Sequence, residues 1–306
     1  MSDAAEICLS GSALPGRLAD LRFPPKQLYL RGELPRGPAV AIVGTRSASK
    51  EYGDFAFELA RDLARAGVAV LSGGAAGIDT QAHLGALEAG GVTVVVAPAG
   101  FDRPFPPENA KLFQSVLDHG GAYLSLFEAD IPSGRGAFFR RNACLVALAH
   151  VVAVVEAGIP SGALNAASHA RQLGRPLFVA PVAPWHPRGA GSLAELQRGA
   201  RFLLTVQNLF DALSAQNLHA VGTPADAQRA QVPQQESFDF TERSPPADAR
   251  AAVLAAVQHG AGTGDEIGLE VGLPAGRVSE LILTMRLEGV LVIDPSGRLK
   301  IDKLSI

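Results

Sequence analysis

The sequence predicts a doubly wound, mostly parallel α/β sheet followed by a small C-terminal winged-helix domain. Three observations predict it. Short β-branched runs alternate with helical stretches from Ala39 to Phe210. Those runs are apolar on both faces, as strands covered by helices on each side must be. After a stretch without apolar period, the chain resumes with three helical segments and a hairpin signal, the winged-helix layout. The chain has 306 residues, 47% hydrophobic and 19% charged, which is enough for one large core and one small one.

In chain order, residues 1–38 are rich in Pro and Gly and read as an extended lead-in that packs on the domain. Strands follow at Ala39–Val43, Val68–Leu71, Val92–Ala97, Ala122–Leu126, Val151–Val155 and Leu177–Ala180. Between them fall helices at Tyr52–Ala66, Asp79–Ala89, Glu108–His119, Arg140–Ala149 and Leu164–Leu173. Several of these end in Gly, which accepts the left-handed conformation that closes a helix. Domain 39–210 therefore carries the sheet. Residues 211–247, rich in Gln, Ala and Pro, read as a flexible linker. Domain 248–306 holds helices at Ala249–Gln258, Asp265–Val271 and Pro274–Glu288. Its hairpin is Val290–Ile293, a Pro295-Ser296-Gly297 turn and Arg298–Ile301.

Composition excludes several classes. The two cysteines, Cys8 and Cys144, cannot build a four-thiolate metal site or a disulfide scaffold. The N-terminus lacks a secretory pattern, and the longest apolar run, Ala143–Val155, is too short to span a bilayer. These features point to a soluble cytoplasmic protein with no membrane partner. The formal net charge of −3 leaves room only for a local polyanion site.

In an open parallel sheet, ligands bind beyond the carboxyl ends of the strands. Three loops lie there: Gly44-Thr45-Arg46-Ser47, Ser72-Gly73-Gly74 and, opening a helix, Ser161-Gly162. Gly at such turns lets backbone N–H groups approach an anion, and a helix N-terminus adds positive partial charge. The alternative is that these Gly residues only permit close packing. Neither a complete G-x-G-x-x-G after a strand nor G-x-x-x-x-G-K-[ST] is present, which argues against NAD and ATP.

Charge supplies the second clue. Residues 131–194 hold six arginines and one acid, whereas residues 1–130 hold eleven basic and fifteen acidic side chains. The densest piece, Ser133–Asn142, reads as a basic loop in which Arg135, Arg140, Arg141 and Asn142 flank Phe138 and Phe139. Phosphate neutralisation beside an aromatic platform suits a single nucleic-acid strand. Core anchoring is the other reading of each Phe. Asp79 and His83, one helical turn apart, read as partners in a structural pair. Glu156, Glu128 and Asp102 are isolated carboxylates, and no acidic set resembles a two-metal nuclease. Residues 248–306 carry six Lys or Arg against eight Asp or Glu, so protein contact suits that domain as well as duplex reading.

The ordered blocks AIVGTRSASKEYG, LSGGAAGIDTQAH, FDRPFPPEN, FFRRN, VVEAGIPSGALNAASHARQLGRPLFVAP and GSLAELQRGA resemble the DNA-processing protein A (DprA/Smf) family, from about Phe23 to Phe210. The resemblance implies an extended Rossmann-like domain that binds single-stranded DNA and protects it. It also implies loading of the RecA recombinase in natural transformation, a homodimer, no catalytic activity and no cofactor. The family's strand-binding positions fall on Arg46, Gly73, Gly74, Arg135, Phe138, Arg141, Asn142 and Ser161. The chain departs from the family pattern at Ala76 and Ala143, where arginines are usual, and at Phe139 and Val182; Arg140 offers compensation. Two rivals stand beside this reading. One is a lysine-decarboxylase-like nucleotide hydrolase, whose P-G-G-x-G-T signature is absent; the other is a ligand-sensing winged-helix regulator.

Overall fold

Strand β1 (Ile7–Ser10) pairs antiparallel with β2 (Gln27–Gly32), and β2 pairs antiparallel with β6 (Ala122–Ser125). The 1–38 segment thus enters the sheet itself, which the sequence, with its dense Pro and Gly, did not reveal. The remaining strands run parallel: β3 (Ala39–Gly44), β4 (Ala69–Ser72), β5 (Thr93–Ala97), β7 (Val151–Val155), β8 (Leu177–Val179) and β9 (Arg201–Phe202). Among the described residues they form one nine-stranded sheet in the order β1-β2-β6-β5-β4-β3-β7-β8-β9. The computed structural model describes residues 5–134, 136–218, 248–273, 275–294 and 298–301.

The period-2 alternation of each inner strand feeds two cores. On one face Ala39, Ala41, Val43, Val152 and Val154 pack beneath α4 (Ala137–Leu148) and α5 (Gly162–Gln172). On the other, Val40, Ile42, Val151, Ala153 and Val155 pack beneath α1 (Lys50–Arg65), α2 (Ile78–Glu88) and α7 (Gln207–Ser214). Helix α3 (Ala110–Asp118) covers Val95, Ala97 and Tyr123 with Phe113 and Val116. Helix α6 (Ala190–Gln197) lies between β8 and β9 in the chain.

Helix α7 continues through residue 211, with Ala212 and Leu213 buried, so the ordered domain outlasts the sequence-derived boundary. The rest of the expected linker, 219–247, lies outside the described residues. The helix expected from Arg140 begins at Ala137, so Phe138–Asn142 form its first turns rather than a loop.

The chain divides into two units, 1–228 and 229–306. The second contains α8 (Ala249–Gln258), α9 (Gly264–Val271), α10 (Ala275–Leu287) and an antiparallel pair, β10 (Leu291–Ile293) with β11 (Leu299–Ile301). Val253, Ile267, Val278, Met285 and Leu291 make its core. Pro274 and the Pro295-Ser296-Gly297 turn lie outside the described residues. Among the described residues, no helix is long and apolar enough to cross a membrane.

Candidate functional site

The centre of the sheet creates a crevice. β3 and β7 are adjacent, with Gly44 opposite Val155 at their carboxyl ends. From there the chain turns to opposite faces, β3 towards α1 and β7 towards α5. Two neighbouring strand ends diverging in this way define a topological switch point. A cleft of about 460 Å³ opens there, lined by Thr45, Arg46, Phe138, Ser161, Gly162 and Arg188 among others.

The loop after β3 is held at both ends by Glu156. Thr45 N–H donates to the Glu156 carbonyl (2.8 Å), and Ser49 N–H donates to its carboxylate (2.9 Å). Glu156 is fully buried and takes a φ of +51°, a left-handed conformation uncommon for a side chain of this kind. Arg188 Nε donates to its other carboxylate oxygen at 3.0 Å. The sequence placed Glu156 as an isolated acid. In the fold it clamps the loop that carries Arg46.

Arg46 is exposed, and no carboxylate pairs with it among the described residues. Its guanidinium carbon lies 5.1 Å from the Phe138 ring centre and 6.0 Å from that of Phe105. The two rings meet edge to face at 5.3 Å. This is a cation held over aromatic faces with its N–H groups still open to solvent. Opposite it, Ser161 caps α5 by accepting from Ala163 N–H (3.1 Å), and Gly162 at the helix start is exposed. Positive partial charge from that helix end therefore faces the same cleft as Arg46. Ser47 is exposed on the Arg46 loop.

Several expected site residues have partners within the protein, although Gly44, Arg141 and Asn142 also line the cleft. Ser72 is fully buried and donates its hydroxyl to the Ile42 carbonyl at 2.6 Å. Gly44 leaves space for the neighbouring strand: a Cβ there would stand 2.0 Å from the Val155 carbonyl oxygen. Gly73 leaves space for Arg141, whose Nη1 would stand 1.2 Å from an added Cβ. Gly74, with φ +69°, faces Phe113 rather than solvent. All three glycines permit close packing, and Gly44 also lines the cleft.

Arg141 is 5% exposed and lies 3.8 Å from the buried Asp79 carboxylate. Burial pulls its pKa down and pushes that of Asp79 up, while each partner's charge opposes the other's shift. Asp79 also accepts from Ala75 N–H at 3.3 Å. Asn142 is buried too and donates to the Gly162 carbonyl and to Asn165, both at 3.1 Å, joining α4 to α5. His83 is not the partner of Asp79; its Nδ1 meets the Thr93 hydroxyl at 2.8 Å. That hydroxyl donates to the Val70 carbonyl, so the His83 Nδ1 carries the proton and donates. Burial first, then the Arg141 charge, push His83 down to about 3.

The basic window read along the chain dissolves in three dimensions. Arg171 pairs with Glu195, Arg175 with Asp20, Arg188 with Glu156 and Arg141 with Asp79. Three of those four acids lie outside the window. Phe139 and Arg140 line a different cavity from Phe138, and Arg135 lies outside the described residues. Sequence reading missed Phe105 and Asn109. Asn109 donates to the Gly74 carbonyl (2.9 Å) and the Thr80 hydroxyl (2.8 Å), pinning the second loop. Both residues sit in the FDRPFPPEN block, and only the block's recurrence in the family signalled them. Among the described residues, no group of three or more His, Cys, Asp or Glu side chains is placed to hold a metal ion.

Comparison with known proteins covers the unit that carries the cleft. The family model described as DNA recombination-mediator protein A matches residues 6–214. Protein Smf of Synechocystis is 30% identical, over 93% of this chain and 77% of its own length. A DprA protein of Mycobacterium tuberculosis, named for DNA processing, is 38% identical over 56% of this chain, and the match spans only 44% of that relative. Among solved structures, DNA processing protein A from Helicobacter pylori, described by its single-stranded DNA binding mode, superposes with a TM-score of 0.64. The identity is 31%, over 71% of this chain and 99% of that one. The Streptococcus pneumoniae protein gives 0.61 at 27% identity, over 70% of this chain and 75% of that one.

Proposed function

The chain belongs to the DNA recombination-mediator protein A family, and from that premise we propose that it is a non-enzymatic single-stranded DNA-binding protein that protects the strand and loads RecA onto it. Natural transformation, or DNA processing of the same kind, is the setting, and a cytoplasmic homodimer is the working form. One observation carries the reading. At the switch point, the unpaired Arg46 guanidinium rests on the Phe105–Phe138 pair and faces the α5 N-terminus. A phosphate between the cation and the helix end is stabilised from both sides, and Phe138 offers a face to the attached base. No part of this arrangement reads base edges, so binding is insensitive to sequence.

Arg46→Ala is expected to weaken oligo-dT binding in a salt titration and to lower the slope of log affinity against log salt by about 0.7. Binding of oligo-dT by Arg46→Ala with wild-type affinity and slope would overturn the site. Recombinase loading is tested separately, by whether the protein restores RecA filament assembly on DNA already covered by a single-strand-binding protein. Sedimentation of the purified chain tests the homodimer.

A further inference from the structure

The α4 N-terminus separates two cavities. Phe138 lines the crevice, whereas the next two residues, Phe139 and Arg140, line a groove of about 1370 Å³. The wall between them is thin: Asn142, on the crevice side, is hydrogen-bonded to Asn165, on the groove side. The groove is larger than the roughly 300–1,000 Å³ of a small-molecule site. Two of its aromatic side chains are presented to solvent, Phe23 81% and Phe139 61% exposed. Cations stand against the rings: the Arg22 guanidinium carbon is 5.2 Å from the Phe23 ring centre, and that of Arg140 is 5.7 Å from Phe127. Arg22, Lys26 and Arg140 form no ion pair among the described residues. The groove's carboxylates are engaged within the protein, Asp20 by Arg175 and Glu128 by the Tyr29 hydroxyl.

We propose that this groove is a second base-stacking track for a single-stranded polynucleotide, which the strand reaches from the crevice by passing over the α4 N-terminus. The proposal rests on the crevice being a strand site. Exposed aromatic faces cost free energy in water and gain it when a base stacks on them, and every base has such a face. Free guanidinium and ammonium groups beside the rings match a phosphate chain. Together the two cavities make the occluded length exceed what the crevice alone covers.

The test uses the full chain and oligo-dT of about six and about twenty nucleotides. Phe23 and Phe139 are exposed, so their truncation leaves the core intact. The Phe23→Ala/Phe139→Ala variant is expected to bind the short oligonucleotide like wild type and the long one at least about tenfold more weakly. Arg140→Gln is expected to flatten the salt slope for the long oligonucleotide by about 0.7. Arg46→Ala is measured beside them with the short oligonucleotide, so failure of the crevice reading registers on its own. Long-oligonucleotide binding by the double variant at wild-type strength, or equal loss at both lengths, overturns the groove assignment. So does a groove that binds poly-glutamate, loses it in the double variant and leaves the long oligonucleotide unaffected, which is the signature of an acidic protein partner.

Discussion

At the residue scale, two arginines that the sequence assigned to one strand site do opposite work. Among the described residues, Arg46 is exposed with no carboxylate partner, whereas Arg141 is buried against Asp79 with no hydrogen-bond partner at its Nε. Truncating one partner of a buried pair leaves the other charge without compensation. Arg141→Ala is therefore expected to cost about 3–5 kcal/mol in urea unfolding. Arg46→Ala is expected to leave the unfolding midpoint almost unchanged while weakening DNA binding. His83 gives a pH signature. Its folded value of about 3 lies below the ordinary 6.5, so its stabilising contribution is complete above pH 6.5 and is lost as pH falls towards 3. Within that window each pH unit removes up to about 1.4 kcal/mol. Asp79, shifted upward by burial, works in the other direction, so the difference between wild type and His83→Gln isolates the histidine. The fall in urea midpoint from pH 7.5 to pH 5 should be smaller in that variant than in the wild type, the remainder including His150, which burial also pushes down, to about 4. The opposed roles of Arg46 and Arg141 were not legible in the chain, because the acid that captures Arg141 stands 62 positions earlier.

At the element scale, the site is made by two strand ends and one clamp. β3 and β7 stop side by side, and Glu156 at the end of β7 bonds both ends of the loop leaving β3. Glu156→Ala removes the acceptor of Ser49 N–H and the anchor of Arg188. It is expected to weaken oligo-dT binding by raising the ordering cost of the Arg46 loop, an effect that Glu156→Gln, which keeps one acceptor oxygen, should partly rescue. Ser161→Ala removes the cap of α5 and should cost about 1 kcal/mol of stability. Strands and helices of the central sheet were legible in the sequence because their β-branched runs and Gly stops are local signals. The short edge strands β1 and β9 and the neighbouring β2 were not: β2 is ordered by pairing with β6 from a distant part of the chain, and β1 and β9 by pairing with β2 and β8.

At the scale of the whole molecule, the 1–228 and 229–306 units each possess their own apolar core. A chain ending at Leu218 is expected to fold cooperatively and to bind oligo-dT with the affinity of the full chain. A loss of affinity on this truncation would mean that the acidic second unit contributes to the strand site. The sequence by itself determined the fold class, the position of the switch-point loops and the family blocks, because hydrophobic period, glycine punctuation and motif order are properties of neighbouring residues. Tertiary structure alone decided which charges remain free. Whether an arginine meets a phosphate or a carboxylate depends on the side chains folding brings within about 4 Å, where Coulomb energy in a dry interior is large, and chain position does not encode that distance.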